Sequence, residues 1–382
     1  MYLKYEEESL MLQRLYVHNF RCLENFELAT KELSSALFIG RNGSGKSTVA
    51  MVFEILQAIA RGQNKVGELV QTKDFAGGRS GVPIRFELEA LLDERLYKYV
   101  LVLELPERFR ELRVAEEQFI VAGNPIYTRK EAQVILHQTS QNIRAQFLMD
   151  WHLVALPVIQ EQSEQDPLRH FRTWLARTVI LAPIPVFMTG DASGETLEPT
   201  RNGSNFGEWF SGLLSHYPAA YTKMREFLED VMPDIKDFVY EPVGKDFKSM
   251  IVRFAKKNAN LNVYFEDLSD GEKCFFLCAA VLAANELYGP LFCFWDEPDN
   301  YLSLSEIGFL VAALRRSFGK SGQILVTSHN PEAIRGFSNE NTFVLDRNSH
   351  LEPTVIRLLS DIPVKGDLVN AIIRGDIFNG HQ

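Results

Sequence analysis

The amino-acid sequence predicts an α/β fold in which a mostly parallel sheet carries an inserted antiparallel β subdomain and a mixed, partly helical lid. Three observations lead there. The apolar run over residues 36–39 hands the chain to a glycine-rich turn and then to an apolar helical stretch over 49–60. Two further apolar runs, 291–295 and 323–326, stop abruptly at polar residues; buried parallel strands of this kind place polar groups at their carboxyl edge, where open α/β sheets bind ligands. Between the first of these runs and the other two, residues 82–105 alternate with a period of two, with Ile84, Phe86 and Leu88 on one face and Tyr97, Tyr99, Leu101 and Leu103 following the turn residues Asp93 and Glu94, as half-buried antiparallel strands do.

Composition bounds the rest. A chain of 382 residues with 46% hydrophobic content builds a sizeable core. The net charge of -10 supplies no overall pull toward nucleic acid or anionic lipid, so any DNA contact needs a local basic patch. Glu6, Glu7 and Glu8 stand where a secretory signal would be basic, and apolar runs such as 275–284 are shorter than the ~18 residues of a spanning helix. A cytoplasmic protein without membrane contact is expected. Cys22, Cys274, Cys278 and Cys293 lie in apolar surroundings without a C-x-x-C pair, as reduced core residues do.

Taken in order, residues 1–10 read as a tail. Residues 12–28 read as two short strands around Asn19-Phe20-Arg21-Cys22. The turn that follows, Gly40-Arg41-Asn42-Gly43-Ser44-Gly45-Lys46-Ser47-Thr48, fits the phosphate-binding pattern G-x-x-x-x-G-K-[ST]. Its glycines let backbone N–H groups approach phosphate closely, Lys46 brings a point charge to the β- and γ-phosphates, and the Ser47 hydroxyl is a Mg²⁺ ligand. These nine residues are the expected nucleotide cradle. Residues 118–126 and 133–137 extend the antiparallel sheet, while 138–178 read as helical, with Trp151, Leu153, Phe171 and Trp174 as core candidates and a polar interruption over 161–166. Residues 181–185 return toward the main sheet, 191–205 read as a loop, 209–214 and 221–231 as helices, and 252–264 as strand. Lys245, Lys248, Arg253, Lys256 and Lys257 form a basic cluster, readable either as a solvated face or as a DNA patch.

Leu268-Ser269-Asp270-Gly271-Glu272-Lys273 leads into an apolar helix that ends at Gly289-Pro290. Alone it is a good N-cap sequence. Immediately afterwards the run 291–295 ends in Asp296-Glu297-Pro298, and the run 323–326 ends in Thr327-Ser328-His329-Asn330.

Phosphate-binding turn, Ser-Asp-Gly-Glu motif, Asp-Glu pair and terminal His occur in the order used by ABC-type ATPases, and the chain resembles their SMC, RecF and OLD branch. That resemblance implies a P-loop NTPase fold of ABC-ATPase type, ATP and Mg²⁺ as cofactors, and ATP hydrolysis. Asp296 and Ser47 would hold the metal, Glu297 would act as general base or water positioner, and His329 would contact the γ-phosphate. Ser269 and Gly271 would approach the nucleotide of the other subunit, so that two chains sandwich two ATP molecules head to tail. Phe20 and Arg21 would lie near the nucleotide, or form an ordinary turn with one core aromatic. Departures from the family pattern are Asp270, where Ser-Gly-Gly is more familiar, and Ser303, where an acid is usual in the D-loop over 299–303; no Q-loop glutamine is assignable.

The segment between Lys46 and Leu268 is too short for a long coiled coil and carries no sustained heptads, and the stretch after His329 is too short for the TOPRIM nuclease of OLD proteins. The expected organisation is a tail over 1–10, an N-terminal lobe over 11–80, an inserted β and α/β lid over 81–265 and a C-terminal lobe over 266–382. Residues 338–342 and Gly366-Asp367-Leu368 look familiar from stand-alone RecF/OLD-like proteins without suggesting a chemistry. The function implied is an ATP-driven dimer, or a larger assembly, that senses or clamps DNA and controls a separate effector such as a nuclease, in DNA maintenance or anti-phage defence. The alternatives are an energy-coupling transporter subunit and a low-turnover assembly scaffold.

Overall fold

The computed structural model describes residues 10–138, 142–363 and 371; Gly366, Asp367 and Leu368, and the expected tail apart from Leu10, lie outside them. The chain divides into two compact units, residues 1–178 with 339–382 and residues 179–338.

The first unit opens with β1 (Leu10–His18), β2 (Phe26–Ala29), β3 (Ser35–Ile39) and the helix α1 (Lys46–Ala60). After the short α2 (Val66–Leu69) come β4 (Ile84–Leu92), β5 (Arg95–Glu104), β6 (Arg113–Val121), β7 (Asn124–Lys130), β8 (Gln133–His137) and β9 (Ile143–Leu148), then α3 (Pro167–Ala176). Eight of the strands form one antiparallel sheet in the order β2-β1-β4-β5-β6-β7-β8-β9. Asp93 and Glu94 join β4 to β5 with φ of 46° and 61°, the left-handed geometry whose twist suits a tight hairpin. One face of the sheet is apolar. Phe171 of α3 packs on it, with ring centroids 5.1 Å from Phe119 and 6.1 Å from Tyr99.

Among the described residues of the stretch expected to be helical over 138–178, only α3 is a helix, and β9 is a strand. All six residues of β9 are exposed, so their side chains have no burial pattern to distinguish strand from helix; pairing with β8 decides. Phe171 and Trp174 are core residues, whereas Trp151 and Leu153 are half-buried.

A buried polar cluster ties this sheet to the connector before α3. The fully buried Glu117 carboxylate accepts from the Tyr99 and Tyr127 hydroxyls at 3.0 and 2.8 Å, and from the Ala155 and Leu156 N–H groups at 2.7 and 2.9 Å. Arg129, equally buried, lies 3.6 Å away and donates to the Asp150 carbonyl. Burial pushes the Glu117 carboxyl above its ordinary pKa, against the pull of these donors and of Arg129.

The opposite face carries Glu87 among Arg14, Arg85 and Lys98, at 2.9, 2.6 and 3.2 Å. Burial raises the Glu87 pKa, but hydrogen bonds from Arg85 and Arg14 and the charge of Lys98 outweigh it and bring the value to about 2.

The second unit runs β10 (Val179–Leu181), α4 (Phe206–His216), α5 (Ala219–Val231), β11 (Ile235–Val243), β12 (Phe247–Lys256), β13 (Ala259–Tyr264), α6 (Asp270–Leu287), β14 (Phe292–Asp296), α7 (Leu304–Phe318), β15 (Gln323–Thr327) and α8 (Pro331–Arg335). β14 pairs in parallel with β10 on one side and β15 on the other. The strand expected over 252–264 is an antiparallel hairpin, β12 and β13, turning at Lys257 with φ 52°. α6 is apolar on nearly every side and is buried accordingly. Phe276 from α6 meets Phe210, Phe238 and Phe265 with ring centroids 5.7–6.1 Å apart.

The chain then returns to the first unit as β16 (Thr342–Asp346), parallel to β3, and β17 (Val355–Leu358), antiparallel to β16. All four cysteines are free and buried. Among the described residues no helix is long and apolar enough to cross a membrane.

Two stability measurements follow. Glu117→Ala strands the buried Arg129 charge and is expected to cost about 3–5 kcal/mol in urea unfolding, part of which Glu117→Ala with Arg129→Met recovers. Because the Glu87 pKa lies below its unfolded value of 4.5, the unfolded chain binds the extra proton. This contribution is therefore complete above pH ~4.5 and is lost as pH falls toward ~2; acid unfolding of Glu87→Gln should lack that component.

Candidate active site

The residues singled out from sequence fall into two sets, one in each unit. In the first unit the apolar β3 runs straight into the turn. Gly43 and Gly45 take φ of 79° and 103°, which L side chains rarely adopt. The Lys46 side chain folds over the turn and its Nζ donates to the Gly40 carbonyl at 2.8 Å. Ser44 donates its N–H to the Arg41 carbonyl at 3.1 Å, and its buried hydroxyl has no protein partner. α1 starts on Gly45 with no side-chain cap and no acid in its first turn, which leaves the positive end of the helix dipole to an anion.

Asn19 and Arg21 shape the turn before β2, with φ of 55° and 53°. Phe20 is a core aromatic, 5.2 Å from Phe86, and Arg21 pairs with Asp74 at 2.9 Å. Cys22, read only as a core residue, lies at the glycine-rich turn: its Sγ donates to Thr48 Oγ1 at 3.5 Å.

In the second unit, Asp296 ends β14 and Thr327 ends β15 beside it. The Thr327 hydroxyl donates to Asp296 Oδ1 at 2.6 Å and accepts the Glu297 N–H at 2.9 Å. Glu297 has φ 51°, a left-handed conformation that costs a non-glycine residue about 1–2 kcal/mol and turns its carboxylate out of the strand. Oε2 accepts from Asn300 Nδ2 at 2.7 Å, and Oε1 lies 3.1 Å from His329 Nε2. Glu297 and His329 are thus brought together. Arg201, in the stretch read as a loop over 191–205, has its guanidinium 3.6 Å from Asp296 Oδ2. Asp299 is largely buried and accepts from the Ser328 hydroxyl at 2.7 Å; burial raises its pKa.

Ser269 caps α6: its hydroxyl accepts the Glu272 N–H, and its own N–H donates to the Glu272 carboxylate at 2.8 Å. It remains exposed. A Cβ on Gly271 would sit 3.1 Å from the Tyr301 carbonyl, so glycine lets the first turn of α6 lie close to the 299–303 loop. In the basic cluster, Lys248 pairs with Glu195 and Arg253 with Glu241, at 2.9 and 3.1 Å, while Lys245, Lys256 and Lys257 are exposed. Among the described residues no group of three or more His, Cys, Asp or Glu side chains converges as a metal cage. A single carboxylate such as that of Asp296 suits Mg²⁺, which commonly keeps water and phosphate oxygens as its other ligands.

Thr327 and Arg201 were not singled out in the sequence. Thr327 carries a partial signal, a β-branched hydroxyl ending an apolar strand; Arg201 carries none beyond being a lone cation in a polar loop.

Among curated proteins none matches this chain. In shape it matches the crystal structure of an SMC head bound to the C-winged helix domain of ScpA, with TM-score 0.52 and 14% identity over 92% of this chain and 99% of that one. The SMC head domain from Thermotoga maritima matches at 0.47, with 14% identity over 93% and 99%. The Smc head domain with an extended coiled coil bound to the C-terminal domain of ScpA, derived from Pyrococcus furiosus, matches at 0.49, with 11% identity over 92% and 97%. Residues 35–335 match the family AAA_21, described as "AAA domain, putative AbiEii toxin, Type IV TA system". The chain belongs to this AAA_21 family and has the SMC/RecF-like, ABC-type P-loop ATPase fold.

Proposed function

We propose that the chain binds and hydrolyses ATP with Mg²⁺ and dimerises head to tail around it, as a cytoplasmic switch that senses or clamps DNA and controls a separate effector in DNA maintenance or anti-phage defence. The observation that carries this reading is Glu297, held in left-handed backbone beside Asp296 with His329 at 3.1 Å. A strained carboxylate at a strand's carboxyl edge is a device of chemistry more than of packing.

In this reading, residues 40–48 cradle the phosphates through backbone N–H groups and Lys46. Ser47 and Asp296 would hold Mg²⁺, which when bound offsets charge on the β- and γ-oxygens. Thr327 holds the Asp296 carboxylate in place. Glu297 orients the attacking water and accepts its proton, and His329, sharing that carboxylate, donates toward the γ-phosphate. Ser269 and Gly271 act on the nucleotide of the second copy, with the exposed Ser269 hydroxyl at the start of α6 as the contact. The family description, with its toxin of a toxin–antitoxin system, and an SMC head of similar fold seen with a partner domain support a switch with a separate output. Lys245, Lys256 and Lys257 are the cations for DNA.

Glu297→Gln is expected to slow hydrolysis about 10²-fold or more while keeping ATP binding, so that sedimentation velocity shows a dimer with ATP and Mg²⁺ and a monomer without. A variant that stays monomeric with ATP contradicts the dimer. Duplex DNA is expected to stimulate wild-type hydrolysis at low salt, with stimulation fading as salt rises; hydrolysis indifferent to DNA assigns the trigger to a protein partner instead.

A further inference from the structure

The phosphate-binding turn is held from outside by a segment far away in sequence. Residues 347–354 link β16 to β17, and this link is braced by its own side chains. Arg347 donates to the carbonyls of Glu352 and His350, at 2.6 and 2.5 Å, and Asn348 donates to the Glu352 carboxylate at 3.0 Å. The link ends on Thr354, which is 3% exposed. The Thr354 N–H donates to the Cys22 carbonyl at 2.8 Å, and its hydroxyl donates to the Ser44 carbonyl at 2.9 Å. A Cβ on Gly45 would lie 2.7 Å from Thr354 Oγ1 and 3.0 Å from Cys22 Sγ, and a Cβ on Gly43 would lie 3.9 Å from His350 Nε2. One segment therefore reaches three consecutive residues of the turn.

We propose that residues 347–354 are a strap that holds the turn in its phosphate-accepting shape, with Thr354 as a positioning residue; this rests on the reading that the turn binds ATP. The reason lies in peptide geometry. In a planar trans peptide, the carbonyl of one residue and the N–H of the next point in opposite directions. Fixing the Ser44 carbonyl on Thr354 aims the Gly45 N–H away from the strap, as a donor for phosphate. Glycine at 43 and 45 makes the turn pliable, so its shape is set by what lies against it. Cys22, anchored by the Thr354 N–H and donating to Thr48, couples the first β-turn of the chain to the same point.

The test is titration of wild type, Thr354→Val and Thr354→Ser with a non-hydrolysable ATP analogue and Mg²⁺, with Lys46→Ala as the blank and thermal unfolding without nucleotide measured in parallel. Thr354→Val, which keeps the shape and leaves the Ser44 carbonyl unpaired, is expected to raise Kd about fivefold or more. Thr354→Ser, which retains the hydroxyl, should bind within about twofold of wild type. Thr354→Val binding like wild type, or both variants weakening alike, overturns the strap. Arg347→Gln removes the two arginine braces of the three and leaves the buried contacts, so it carries the test even if Thr354→Val fails to fold: weaker binding supports the strap, and wild-type binding overturns it. A wild type that binds no analogue overturns the nucleotide reading and the strap together, whereas wild-type binding with unchanged variants overturns the strap alone.

Discussion

A Cβ on Gly40 would sit 2.2 Å from the Leu345 carbonyl and 2.6 Å from the Ser44 hydroxyl. This approach, open only to glycine, lets β3 and β16 run side by side to the edge of their sheet and lets the turn fold back tightly enough for Lys46 to reach the Gly40 carbonyl. The start of α1 depends on it. A residue with a side chain at position 40 would push β3 from β16 or open the turn. The unpartnered, buried Ser44 hydroxyl belongs to the same economy of space.

The second unit meets the same problem differently. β14 and β15 are apolar and buried, so they can present polar groups only where they end. At that edge Thr327 bonds both to Asp296 and to the Glu297 amide, and the backbone of Glu297 turns left-handed. Adjacent acids thereby receive different surroundings: Asp296 is tied to a hydroxyl and faces Arg201, while Glu297 meets Asn300 and His329. The two helix starts contrast as well. α1 has no side-chain cap, whereas α6 is closed by the reciprocal bonds of Ser269 and Glu272. The first end is open to an anion; the second offers an exposed hydroxyl on a helix already satisfied.

Much of this was legible in the sequence because it is local. Uninterrupted apolar runs ending in polar residues marked β3, β14 and β15, and period-two alternation marked β4 and β5. The glycine-rich turn was visible because close backbone approach requires a particular residue at particular spacings. What escaped depends on contacts across the chain. β9 carries six exposed side chains and is a strand through its ladder with β8, which no local pattern records. Thr354 lies 310 residues from Ser44, and Arg201 reaches Asp296 from a stretch whose composition marks only a loop. Phe20 illustrates the converse: of the two readings open in the sequence, the aromatic takes the place of a core residue, since burial beside Phe86 claims its ring.

The central claim is that a catalytic site is completed by the Ser269 and Gly271 of a second copy. The most direct test is the specific ATPase activity of the wild-type chain, per subunit and with saturating ATP and Mg²⁺, over a wide range of protein concentration. A shared site predicts activity per subunit that rises with concentration and then reaches a plateau as dimers fill. Activity per subunit that stays constant down to the lowest concentration, where sedimentation shows only monomer, would contradict the account.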